Sequence, residues 1–135
     1  MTQSSGQIAC VAVPVPDHGG VHRLVAPLDP EAVFTADERR HCAASLESYA
    51  GRLAAKLALR DLLGLSAAGP LTELAIVSGR HQTDQPCRGL HRPELLLTGT
   101  AATACAGRGI AVSISHVPTL AIAVCAMADD APEAP

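Results

Sequence analysis

One acid in this sequence stands where an acid is costly. Apolar spacing predicts a helix over Ser48–Leu63, and at about 100° per residue Leu53, Leu57 and Asp61 fall in one stripe. Asp61 comes near the C-terminal end, where the helix presents partial negative charge. Two readings stand: Asp61 is solvated at the border of the apolar face, or it lines a pocket with a raised pKa and moves protons. Leu53 and Leu57 make its surroundings apolar, which suits a neutral small molecule held near one acid–base group. His116 ends a β-branched run. It either carries a second proton or orients a substrate, or it is a strand-end histidine bonded to a loop carbonyl. Arg52, Lys56 and Arg60 repeat every four residues as an adjacent basic stripe. Such a stripe is a solvated face, or it meets phosphates or an acidic partner.

Spacing weighs against other chemistries. Ser113 and Ser115 share one strand face while His116 lies on the other, so a serine–histidine nucleophilic pair has poor geometry. His18, His22, His41, His81 and His91 are scattered. His18 and His22 are four apart, but Gly19 and Gly20 between them disfavour the helix that a zinc pair needs. The five cysteines are Cys10, Cys42, Cys87, Cys105 and Cys125, an odd number without a C-x-x-C pair. That argues against a disulfide framework or structural zinc. Cys10, Cys105 and Cys125 sit in apolar stretches and read as buried thiols. Cys42 adjoins His41, but sequence neighbours on a helix do not face each other, which makes a weak nucleophile signal.

The elements that must position these groups fit one domain. The chain has 135 residues, of which 48% are apolar, and Phe34 and Tyr49 are its only aromatics. The core must come from Leu, Val, Ile and Ala. A net charge of -3 argues against a nucleic-acid binder. No run is long enough to span a bilayer, and no basic-then-apolar leader is visible; the expectation is a cytoplasmic protein. Residues 1–6 and 129–135 read as flexible tails around a domain at 7–128.

Ile8–Val15 reads as a first strand at an edge, and Asp17–Gly20 as a turn. Thr35-Ala-Asp-Glu38 fits a capping box opening a helix from Ala36 to about Leu46. The second helix, Ser48–Leu63, stops at Gly64, and the two can form one bent helix. Leu71–Ser78 and Glu94–Thr98 read as strands around a long irregular loop, and Thr100–Ala106 as a helix. Ile110–His116 and Leu120–Met127 form a hairpin around Val117-Pro118-Thr119. The order implies an α+β fold with an antiparallel sheet packed on a long helix.

Three segments carry a resemblance. Glu47–Gly64, with Arg52, Ala54, Ala55 and Lys56, resembles the signature helix of the small acyl carrier protein synthase type of 4'-phosphopantetheinyl transferase. Val33–Cys42 resembles that family's Phe-Thr-x-x-Glu segment. Ala111–Val124 is similar to its late Ser-x-Ser-His hairpin, and Arg92-Pro93, a strand and Gly99 fit between. The match covers roughly residues 33–127. The resemblance implies a trimer with active sites between subunits, which moves phosphopantetheine from coenzyme A to a carrier-protein serine. It also implies magnesium held by an early aspartate and a helix glutamate, and phosphate binding or proton transfer by a later helix lysine.

This chain departs from the pattern at the chemistry. The metal glutamate falls on Leu57, the later lysine on Asp61 and the helix aromatic on Leu53. Ile8–Pro16 contains no acid, and Asp17 lies just beyond. Arg52, Lys56, Ser113, Ser115 and His116 survive. Magnesium needs hard oxygen ligands, and pyrophosphate chemistry needs cationic neutralisation.

The expectation is a repurposed enzyme of bacterial specialised metabolism, in a polyketide or peptide pathway. It would cyclise, isomerise or dehydrate an apolar intermediate without magnesium. Asp61 and His116 would be catalytic, with Leu53, Leu57, Ser113 and Ser115 holding substrate, and Arg52, Lys56 and Arg60 meeting a carrier protein or phosphate. No metal and no cofactor are expected on this reading. One alternative is an active transferase using magnesium and coenzyme A, with Asp17, Glu47 or another subunit's acid as substitute ligands. The other is a non-catalytic module that binds a carrier protein or coenzyme A. All three keep the homotrimer and expect neither nucleic acid nor membrane as partner.

Overall fold

The computed structural model describes residues 7–42, 45–67, 69–78 and 93–128. The two tails, and the loop expected between the middle strands, lie largely outside them. Strand β1 (Gln7–Pro14) is followed by short helices α1 (Gly20–Val25), α2 (Pro30–Val33) and α3 (Ala36–Cys42). Then come the long helix α4 (Leu46–Leu63), a 3-10 turn (Leu71–Glu73), strands β2 (Leu74–Ser78) and β3 (Pro93–Leu97), helix α5 (Gly99–Cys105), and strands β4 (Ile110–Val117) and β5 (Leu120–Met127). Strands β1, β5 and β4 form one antiparallel sheet in that order; β2 and β3 pair antiparallel in a second. The α+β class and the edge position of β1 hold.

Alternation on the strands decides what faces inward. Val13 of β1 and Ala121, Ala123, Cys125 and Met127 of β5 are buried, and Val112 and Ile114 of β4 pack against the same core. Helix α4 lies across all three strands and brings Ala50, Ala54, Ala55 and Ala58, none of them accessible to solvent. Alanine against alanine lets helix and sheet approach closely. A core with one Phe and one Tyr can therefore be dense without large side chains.

Both ends of α4 are set by local chemistry. The Ser45 hydroxyl caps its N-terminus by accepting from the Ser48 amide at 3.2 Å. Gly64 closes its C-terminus at φ 68°, a left-handed conformation that glycine adopts without strain. The capping box is present at α3: the Thr35 amide donates to Glu38 Oε1 at 2.9 Å, and the Glu38 amide donates to Thr35 Oγ1 at 3.2 Å. Three expectations need correction. Helices α3 and α4 are separate, because Ser45 starts a new helix. The stretch expected as strand from Leu71 begins as a 3-10 turn and enters the strand only at Leu74. Helices α1 and α2 were not anticipated; Pro30 opens the single turn of α2.

Candidate functional site

The middle of the basic stripe of α4 does not face solvent. Lys56 is fully buried and pairs with the equally buried Glu38, Nζ to Oε1 at 2.7 Å. Its ammonium also donates to the Leu71 carbonyl at 3.0 Å and lies 5.7 Å from the Phe34 ring centre. Burial pushes the Lys56 ammonium below its ordinary range, and Glu38 beside it pulls the other way. Lys56 as a carrier or phosphate contact is therefore corrected: it is an internal tie between α4, α3 and the 3-10 turn. Arg52, half-buried, donates from Nε to the Ile76 carbonyl at 2.9 Å. Glu38 Oε2 accepts the Ile76 amide at 2.7 Å. Two charged side chains thus occupy the outer edge of β2, as a neighbouring strand would. Arg60 is half-buried near the end of α4 and donates to the Ala67 carbonyl at 3.4 Å.

The remaining candidates fall in three separate places. Leu53 is buried in the core. Leu57 is half-buried, packed against the same core as Ala9 and Val11 of β1. One turn on, Asp61 is exposed. His116 is exposed on β4 beside Gly51, in the first half of α4. Gly51 and Asp61 are ten residues apart, roughly 15 Å along the helix. Ser113 and Ser115 are exposed on the outer sheet face, away from α4. One chain therefore does not bring Asp61, His116 and the two serines into one pocket.

Magnesium does not fit these residues. The resemblance puts two carboxylates on α4 and β1, where this chain has Leu57 and a strand without Asp or Glu. Hydrocarbon offers no oxygen ligand. Among the described residues, no three His, Cys, Asp or Glu side chains group closely enough to hold an ion. Two of the buried cysteines, Cys42 and Cys125, are poor nucleophiles as well. Burial pushes the Cys42 thiol up, against the opposing pull of Arg52, and the Cys125 thiol up to about 11, so both stay protonated near neutral pH. Cys10, expected inside, is exposed on the outer face of β1, while Cys105 is buried as expected.

The Glu38–Lys56 pair was not foreseen. Its one sequence signal was a lysine set among Ala54, Ala55 and Ala58, a charge at the centre of an apolar surface.

No family model matches the sequence. An alignment of 103 positions, covering 70% of the chain, is 36% identical to fatty acid synthase subunit alpha of Schizosaccharomyces pombe, and the chain spans only 5% of that protein. Among solved structures, the coenzyme A complex of the Chronobacterium ammoniagenes acyl carrier protein synthase superposes with a TM-score of 0.71 at 26% identity, over 92% of this chain and 97% of that one. The Mycobacterium tuberculosis acyl carrier protein synthase gives 0.63 at 27% identity, over 93% and 96%. With sheet order, long helix and hairpin motif all in place, the chain has the acyl carrier protein synthase type of phosphopantetheinyl transferase fold.

Proposed function

We propose that this chain is a binding protein built on the acyl carrier protein synthase fold, one that recognises a carrier protein or coenzyme A without magnesium-dependent phosphopantetheine transfer. The observation that carries this reading is the split fate of α4. The scaffold pair Lys56–Glu38 is intact and fully buried, while the positions that the resemblance assigns to metal and phosphate hold Leu57 and Asp61. An aspartate in place of a lysine repels phosphate, and a leucine cannot ligate. The test is the intact mass of an apo carrier protein incubated with this chain, coenzyme A and magnesium, beside direct binding titrations of the same carrier and of coenzyme A. Salt-sensitive binding with no mass gain is expected. A phosphopantetheine-sized gain overturns the reading in favour of an active transferase, and absence of both gain and binding removes it as well.

The transferase reading keeps support from the likeness to a coenzyme A complex and to a fatty acid synthase subunit. The repurposed acid–base reading, cyclisation, isomerisation or dehydration of an apolar intermediate, rests on Asp61. It requires a second copy to supply His116 or another proton carrier. Full retention of biological activity in Asp61→Asn counts against it.

A homotrimer is part of the proposal. The outer face of the three-stranded sheet is apolar and exposed, with Ile8 at 72%, Ile122 at 37% and Val124 at 39%. Such a face suits burial against further copies.

A further inference from the structure

A cavity of about 200 Å³ opens between the C-terminal turn of α4, the 3-10 turn and α5. Leu65, Leu71 and Leu74 line part of it, and Arg60, Glu73 and Thr100 stand on the same wall. Leu71 and Leu74 are buried, and the bond from Lys56 Nζ to the Leu71 carbonyl fixes that wall from behind. The pocket is therefore preformed. Glu73 is already committed: its Oε1 accepts the Ala101 amide at 3.2 Å, in the first turn of α5. Arg60 is not. Among the described residues its one hydrogen bond is the long contact from Nη1 to the Ala67 carbonyl, which leaves the rest of the guanidinium fork for a ligand.

We infer that this cavity binds a short-chain monocarboxylate, with the hydrocarbon tail among the three leucines and the carboxylate on Arg60. Arginine presents parallel donors that match a carboxylate. At about 30 Å³ per water-sized group, the space holds roughly six or seven such groups, the length of a hexanoate chain. The site is independent of the function proposed above. It lies on the Arg60 side of α4, about 100° around the helix from Asp61.

The test is an amide-shift titration of the nitrogen-labelled full chain with sodium hexanoate, with acetate, hexanol and hexylamine in parallel. Saturable shifts confined to residues around Arg60–Leu74 and Thr100 are expected, with a dissociation constant of about 1 mM. Binding should weaken at least about tenfold in Arg60→Gln and vanish in Thr100→Phe, which blocks the mouth while keeping Arg60. Three results overturn the inference: no saturable shift with hexanoate, equal affinity for acetate, hexanol or hexylamine, or an Arg60→Gln variant that is folded and binds unchanged.

Discussion

Glu38 serves three partners with two oxygens: the cap of α3, the ammonium of Lys56 and the amide of Ile76. Removing one member of a buried pair leaves the other charged and unsolvated. Lys56→Met is expected to lower stability by about 3–5 kcal/mol in urea denaturation. Combining it with Glu38→Gln should cost clearly less than the sum of the single changes, since the two act through one contact. Cys125 carries a pH signature. Its folded pKa of about 11 lies above the ordinary 9.0 because burial disfavours the thiolate. The folded chain keeps a proton that the unfolded chain releases. The stability it contributes is fully present below pH 9.0 and is lost as pH rises towards 11. The difference between wild type and Cys125→Ala, followed by denaturation from pH 8 to 11, should shrink across that window. The capping role of Glu38 was legible because it is local, three residues from Thr35. Its bond to Ile76 was not, because the two are 38 residues apart and no spacing rule reaches that far.

At the scale of elements, α4 and β4 meet closely. A side chain at Gly51 would place its first carbon 2.7 Å from Ile114 Cγ2. Gly51→Leu is expected to cost about 1–3 kcal/mol through overpacking, measured by denaturation, and Ile114→Ala should restore part of it. The strands of the late hairpin, the long helix and its glycine stop were readable from alternation, helical spacing and turn chemistry. Helices α1 and α2 were not, because they are one or two turns long, too short for a periodic pattern. They bury Val25 and Val33 and are held by that packing more than by propensity. The stripe of Arg52, Lys56 and Arg60 shows the limit of a helical wheel. Spacing placed the three charges on one face, but only the docking of β2 and the 3-10 turn made its middle, Lys56, internal.

At the scale of the molecule, one sheet face is covered by α4 and, among the described residues, the other is bare. Ile8, Cys10, Ile122 and Val124 stand on the bare side with Ser113 and Ser115. If copies assemble there, sedimentation velocity should show a trimer for wild type. Val124→Arg should give a folded monomer, since a charge placed in a desolvated interface is costly. The candidate site is scattered over one chain for the same reason it was only partly legible. Sequence spacing names which residues share an element, but not which elements, or copies, come together.

The side-chain clasp on Ile76 has a consequence for motion. An amide on the outer edge of a two-stranded sheet ordinarily frays and trades its proton for deuterium within local openings. Here that amide is held by Glu38, and Glu38 is held in turn by Lys56 at the centre of the long helix. Releasing it requires α3, α4 and β2 to part together. The Ile76 amide is therefore expected to exchange as slowly as the core of α4, and its protection should fall to that of an ordinary edge in Glu38→Gln.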